Sequence, residues 1–369
     1  MIHWRRGTVS SVTGGWGPVV TVDVELDEGG VMAALADTPL VGTPRVGDTV
    51  LLNASALLKG LGTGGQALVV AIPDALPPDP VDADGARPPG HIVKARYAPL
   101  QTMVLALEEQ ESAHHEAMAG HPQVVAGDLE GMPVVAAELH SALPAVVAGV
   151  HADRPGARVA YVMTDTGSLP LGHSRLVAAM RESGMLTSTT SVGQAYGGEH
   201  EAITLHSALL AARYVLGADV VVVAQGPGNA GSATPWGYSG ISQGEVLNTV
   251  HTLRGRGVAV LRVSSADPRG RHRGLSHHTT TTLGRVVLGA ADVPLADDDD
   301  LSPGLREAVE AVCASATGRL SPVLVPAVGL DEALRACPVP LATMGRGYAS
   351  ERAAFVTSAA AGRHAAALL

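Results

Sequence analysis

The sequence predicts an α/β protein, a doubly wound and mostly parallel sheet preceded by a small β-barrel-like domain. Three observations predict it. From Met132 to Ser265, nearly continuous apolar runs alternate with segments of helical period, the pattern of parallel strands covered on both faces. Residues 1–75 carry short strand-like runs broken by Gly, Asp and Pro. The chain holds one Phe and 44 Gly within 46% hydrophobic and 16% charged residues, so its core must be built from Val, Leu, Ala and Ile.

The elements follow in order. "RRGTVSSVT", "PVVTVDVEL", "VMAALAD", "DTVLLNA" and "QALVVAI" read as barrel strands, with "TVDVEL" alternating as a half-buried strand does. They form a domain of SH3 or OB size over residues 1–75. The Pro- and Asp-rich "PDALPPDPVDADGARPPG" places a linker or exposed loop at 76–95. Residues 96–369 form a Rossmann-like α/β domain. In it "PVVAAEL", "RVAYVMT", "LTSTTSV", "DVVVVAQ" and "VAVLRVSS" are strands. "SALPAVVAGVHA", "SRLVAAMRESG", "HEAITLHSALLAARYVLG" and "QGEVLNTVHTLRGRG" are helices. Ile203, Leu205, Leu209, Leu210 and Val215 fall near helical spacing, and Gly217 stops that helix. The tail adds the helix "SPGLREAVEAVCASA", the strand "PVLVPAV" and an Ala-rich final helix. "DDDD" (Asp297 to Asp300) reads as a solvated loop at a helix N-terminus.

Charge and composition exclude several function classes. A net charge of −10 argues against coating nucleic acid, which needs clustered Lys and Arg; "RGRHRG" is the one dense basic stretch. Cys313 and Cys337 supply neither a disulfide framework nor metal-ligand spacing. "MIHWRRG" has no apolar leader, and no apolar run free of charged and turn residues reaches about 18 residues. A cytoplasmic protein is expected, and its composition and β-rich N-terminal domain suggest a homodimer.

Ligands of open α/β sheets sit beyond the carboxyl ends of the strands. The first strand delivers Glu138, His140 and Ser141 there. The second delivers Thr164, Asp165 and Ser168, and the third Gln194, Tyr196, Glu199 and His200. The fourth delivers "GPGNAGSATPWGYSG" from Gly226, and the fifth Ser264, Asp267, Arg269, Arg271, His272 and Arg273. So many polar strand ends exceed what connecting turns need. Asp165, Glu199 and His277 are the candidates for acid–base roles. Thr164, Ser168, Gly226, Gly228, Asn229 and Ser232 would cradle a small polar or anionic ligand, with Arg271 or Arg273 neutralising its charge. "GPGNAG" fits G-x-G-x-x-G by count but follows a late strand and contains Pro227. No P-loop or G-x-S-x-G occurs, and no cofactor is specified. For a metal, His140, Asp267, His272 and His278 are the candidates. Adjacent His277 and His278 would diverge in regular structure and so would not face one ion together. The four threonines after them favour a strand or a helix cap. In "EEQESAHHEAM" a helix would align Glu111 with His114 and His115, most simply as a solvated face. The sequence fits an enzyme acting on a small metabolite, or a non-catalytic ligand-sensing or partner-binding protein.

Several stretches taken together resemble one bacterial family, known as domain of unknown function 3866. They are "VGDTVLLNASALLKGLGTGGQALVVA", "GHIVKARYAPLQTMVLALEEQESAHHE", "YVMTDTGSLPLGHS", "SVGQAYGGEHEAITLHSALLAA", "GPGNAGSATPWGYSGISQGEVLN", "LRVSSADPRGRHRGLSHHTTTTLGR" and "TMGRGY". The resemblance covers nearly the whole chain and implies that barrel and α/β part form one unit. It brings no activity and no catalytic residues.

Overall fold

Alternating Val, Leu and Ala side chains close the first unit. In the computed structural model, which describes residues 1–61, 64–302 and 304–369, its strands are β1 (Trp4–Trp16), β2 (Val19–Leu26) and β3 (Val31–Asp37). After a helical turn α1 (Thr38–Val41) come β4 (Thr49–Asn53), α2 (Ser55–Leu58) and β5 (Ala67–Ala71). They form a closed barrel in the order β1-β2-β3-β5-β4, with β4 returning to β1. Val9, Val22, Val24, Ala34, Val50, Leu52 and Val69 fill its interior. Register shifts at Val9/Ser11 and Val12/Gly14 let the long β1 bend around the barrel.

This unit runs on through the hairpin β6 (Ile92–Lys94) and β7 (Thr102–Val104) and includes Pro170–Ala178. That segment is tied in locally. Trp16 Nε1 donates to the Gly172 carbonyl at 3.0 Å, and the Arg175 guanidinium lies 4.0 Å over the Trp16 ring.

The second unit comprises Leu105–Leu169 and Ala179–Leu369. It opens with α3 (His115–Gly120) and α4 (Pro122–Ala126). Then follow β8 (Pro133–Ala137), α5 (Leu143–Asp153), β9 (Val159–Thr164), α6 (Arg175–Glu182, begun in the first unit), β10 (Ser188–Ser191) and β11 (His200–Glu201). Next are α7 (Leu205–Tyr214), β12 (Val220–Gln225), α8 (Ser242–Thr252), β13 (Arg256–Ala259), β14 (Val263–Ser264), β15 (Gly274–Leu275) and α9 (His277–Thr281). The chain ends with β16 (Ala291–Asp297), α10 (Leu305–Ser315), β17 (Leu320–Pro326), α11 (Leu330–Arg335) and α12 (Arg352–Ala367).

Eight parallel strands order as β11-β10-β9-β12-β8-β13-β16-β17. Every residue of β8, β9 and β12 is buried, which is why those runs carry no polar alternation. Leu209 of α7, Leu247 of α8 and Val309 of α10 share one core cluster with sheet residues. Ala145 of α5, Leu330 of α11, and Phe355 and Ala359 of α12 form another. The doubly wound fold with its N-terminal barrel is therefore as the sequence predicts. No helix among the described residues is long and apolar enough to cross a membrane.

Local expectations fail where side chains compete with the periodic pattern. Thr204 caps α7 by accepting from Ser207 N at 3.1 Å, so Ile203 falls outside the helix and is exposed. "EEQESAHHEAM" forms turns before helix begins at His115, so Glu111 and His114 share no helical face. The threonines after His278 are helical, running from α9 into a π-helical turn at Thr282–Val286. "VAVLRVSS" leaves the sheet at Ala259 and resumes as β14, paired with β15. Gly62 and Thr63, ahead of "QALVVAI", and Pro303, within "SPGLREAVEAVCASA", lie outside the described residues.

Candidate functional site

The central strands β12, β8 and β13 lie side by side, and their carboxyl ends carry a buried charged group. Glu138 follows β8 and is 3% exposed; Arg262 follows β13 and is 9% exposed. Arg262 Nη1 donates to Glu138 Oε1 at 2.5 Å. The same oxygen accepts from His278 Nδ1 at 2.6 Å and from Asn229 Nδ2 at 3.3 Å. Arg262 is donor-only and also lies 3.0 Å from His278 Nδ1. An ionised Glu138 can only accept, so the 2.6 Å contact puts a proton on His278 Nδ1, and in the neutral ring Nε2 then keeps its lone pair. Burial opposes ionisation of Glu138. The His278 hydrogen bond and the Arg262 charge outweigh it and hold the carboxyl below its ordinary value.

Two more histidines meet His278. His272 comes from a 3-10 turn and is 2% exposed; its Nδ1 lies 2.8 Å from Ser276 Oγ. Ser276 is the N-cap of α9 and accepts from His278 N. His277 and His278 are the first two residues of α9. Ring centroids are 4.9 Å apart for His272–His277, 4.9 Å for His272–His278 and 4.5 Å for His277–His278. One ring nitrogen from each lies within 4.8 Å of the others. The expected divergence of the adjacent histidines does not occur: their rings, 4.5 Å apart, are closer to each other than either is to His272. Burial, then the nearby Arg262 and Arg269 charges, push His272 down to about 4. Burial, then His278 and Arg271, also lower His277.

The glycine-rich loop after β12 supports this cluster. Tyr238 stacks on His278 with centroids 3.7 Å apart and planes 7° from parallel. Its hydroxyl donates to the His278 carbonyl at 2.9 Å and lies 2.6 Å from Thr282 Oγ1. Asn229 is fixed by Ser239 Oγ, which donates to Asn229 Oδ1 at 2.8 Å. Gly240 is required because a Cβ there would sit 2.2 Å from the Glu138 side chain. Gly226 is required because a Cβ would sit 2.5 Å from the Ser168 carbonyl. Between them the loop folds on itself, with Ser232 N donating to the Gly237 carbonyl at 2.7 Å and Ser239 N to the Ala230 carbonyl at 2.9 Å. Ser232 Oγ bonds inside that flap, and Gly228 lies exposed in left-handed conformation.

The other sequence-derived candidates are dispersed. Asp165 follows β9 and accepts from Gln194 N at 2.8 Å. Glu199 pairs with Arg181 at 2.5 Å and accepts from Thr189 N, beside β10. β9 and β10 lie three and four strand positions from β13, about 14 and 19 Å at ordinary spacing, so neither carboxylate shares the histidine cluster. Thr164 Oγ1 lies 3.4 Å from Thr166 Oγ1, and Ser168 packs on Gly226. The Arg271 and Arg273 side chains are exposed beside His272 and make no hydrogen bond or ion pair among the described residues. Asp267 is held low by Arg269, which donates to it through two nitrogens at 2.9 and 2.8 Å. Neither Asp267 nor His140 joins the histidine cluster.

A cavity of about 40 Å³, room for a few waters, adjoins the Glu138–Arg262 pair and is lined also by Ser141, Ser264, Thr343, Arg346 and Glu351. Glu351 is fully buried and accepts from Ser264 Oγ at 2.7 Å and Arg346 Nε at 2.5 Å. The Ser264 hydrogen bond fastens the start of α12 to β14, and the Arg346 pair closes the turn before the helix.

His140 has a different role. Its Nδ1 lies 3.0 Å from the Tyr161 hydroxyl, and burial pushes its pKa down to about 4. The folded value lies below the unfolded one near 6.5, so the unfolded chain takes up a proton first as pH falls. Stability should drop by about 1.4 kcal/mol per pH unit from this group between roughly pH 6.5 and 4, a total of about 3 kcal/mol. Urea midpoints against pH for the protein and for His140→Gln check this: the variant should have a visibly flatter acid limb. Equal slopes would place His140 in contact with water.

A family model described as "Protein of unknown function (DUF3866)" matches residues 33–362 of the 369. No curated protein matches the chain.

Proposed function

The chain belongs to this family of unknown function, and from its own side chains we propose an enzyme that binds a small anionic metabolite at the carboxyl edge of the β12–β8–β13 strands. The observation that carries the reading is the buried Glu138–Arg262–His278 group. A buried ion pair stabilises a fold no better than well-packed apolar residues of the same volume. Here it stands at the strand ends where open α/β sheets bind ligands. It also orients a histidine whose other nitrogen is left for chemistry. The exposed guanidiniums of Arg271 and Arg273 supply the charge that draws an anion to the cluster, and His277, half-buried at its rim, meets the substrate.

A thermal-shift panel of small carboxylates and phosphates tests this. A ligand at a hundredfold excess over its Kd should stabilise the protein by about 2.7 kcal/mol. The gain should vanish in the Arg271→Ala/Arg273→Ala double variant, whose own melting temperature should stay near that of the parent. A ligand that stabilises both proteins equally would place the anion site elsewhere. Tight binding with no turnover of the bound compound would favour a ligand-sensing protein over an enzyme.

A further inference from the structure

We propose that His272, His277 and His278 form a mononuclear site for a first-row divalent transition ion, zinc in the first instance, with a coordination position left open for water. This deepens the preceding reading and rests on it for where a substrate would arrive; the metal site itself stands on the side chains alone.

Three observations support it. The first is convergence: three imidazoles present one nitrogen each within 4.8 Å. A tetrahedral ion with metal–nitrogen bonds of about 2.0–2.1 Å holds its ligands about 3.4 Å apart, so the cluster closes by ring movements of roughly an ångström. The second is orientation. Metal-bound histidines characteristically donate their other ring N–H to a carboxylate or another acceptor, which fixes the tautomer. His278 makes that bond to Glu138 Oε1 at 2.6 Å. His272 has Ser276 Oγ at 2.8 Å from Nδ1 to serve the same purpose. Nε2 is thereby left as the coordinating atom in both. The third is an orphan: His277 Nε2 is buried and has no hydrogen-bond partner. A buried ring nitrogen without a partner is costly, and a metal ion would satisfy it.

The donor set selects the ion. Three neutral imidazoles suit zinc, cobalt, nickel or copper and not magnesium or calcium, which take oxygen ligands. Three protein ligands with one open position are the arrangement of catalytic zinc, where bound water becomes acidic enough to ionise near neutral pH. Tyr238 stacks on the His278 ring and holds its hydroxyl on the His278 carbonyl and Thr282, so the ring plane is fixed before metal arrives.

The experiment uses the full chain, stripped with a chelator, dialysed and titrated with Zn²⁺ and, separately, Co²⁺, with no metabolite present. One equivalent of metal should be retained per chain after desalting, and Co²⁺ should give the intense visible bands of a four-coordinate nitrogen site. His277→Ala, at a half-exposed position, should fold normally and lose at least ~10-fold in affinity. Glu138→Gln, which keeps all three ligands, should weaken binding by about 10–100-fold. His206→Ala, an exposed control on α7, should match the parent. Retention of no metal, or an affinity unchanged by both His277→Ala and Glu138→Gln, would overturn the assignment. Because no metabolite is present, either result leaves the anion test independent.

Discussion

Glu138→Ala is expected to destabilise the protein by about 3–5 kcal/mol, measured as the loss in urea-unfolding free energy at neutral pH. The residue accepts from Arg262, His278 and Asn229 through one oxygen. Removing it leaves a guanidinium that is 9% exposed with no carboxylate to answer it. Breaking one side of a buried pair costs far more than the pair contributes, because the surviving charge keeps its desolvation penalty. The truncation also opens a gap where the Glu138 side chain packs on Gly240. Glu138→Gln keeps the shape and an acceptor, so it should cost clearly less than alanine. A loss under about 1 kcal/mol for Glu138→Ala would mean that the pair is solvated. A solvated pair would need no functional reason to persist.

Gly149→Val and Gly362→Val should each cost at least about 3 kcal/mol, at or beyond the upper end of ordinary overpacking. α5 and α12 cross here with their backbones nearly touching. A Cβ on Gly149 would lie 2.0 Å from the Ala359 carbonyl oxygen, and one on Gly362 1.9 Å from that of Val146. The obstacle is main chain in both cases, so no rotamer change relieves it and the helices must separate. Separation would uncover Phe355, Val356 and Ala360, which belong to the same cluster as Ala145 and Ala148. The double variant should cost less than the sum of the two, because the first substitution already opens the space that the second needs. Gly156→Ala, where nothing lies within 4 Å of the added carbon, should change stability by less than about 0.5 kcal/mol. Strict additivity of the valine variants would contradict a shared helix contact.

These two predictions mark what the sequence makes legible and what it does not. The strands were legible because β8, β9 and β12 are buried on both faces and so read as unbroken apolar runs. The glycine contact between α5 and α12 was not, since a small residue is informative only once its partner is known. At the site, His272, His277 and His278 could be singled out, and so could the loop from Gly226. Reasoning on His277 and His278 as a pair predicted divergence, and it omitted a third ring entering from a preceding turn. Asp165 and Glu199 satisfied the rule of polar strand ends, but strand order sets them far from β13. Arg262 was passed over inside "VAVLRVSS", though a charge within an apolar strand is itself a signal that a buried partner must exist. Ser276 and Tyr238 act by orienting histidines, a role that residue type and spacing do not reveal.

The most direct measurement is anomalous diffraction from crystals grown with Zn²⁺, collected on both sides of the zinc absorption edge. The account predicts one strong difference peak between the ring nitrogens of His272, His277 and His278, with Glu138 still on His278 Nδ1. An empty cluster, with zinc bound only at other residues or nowhere, would contradict it.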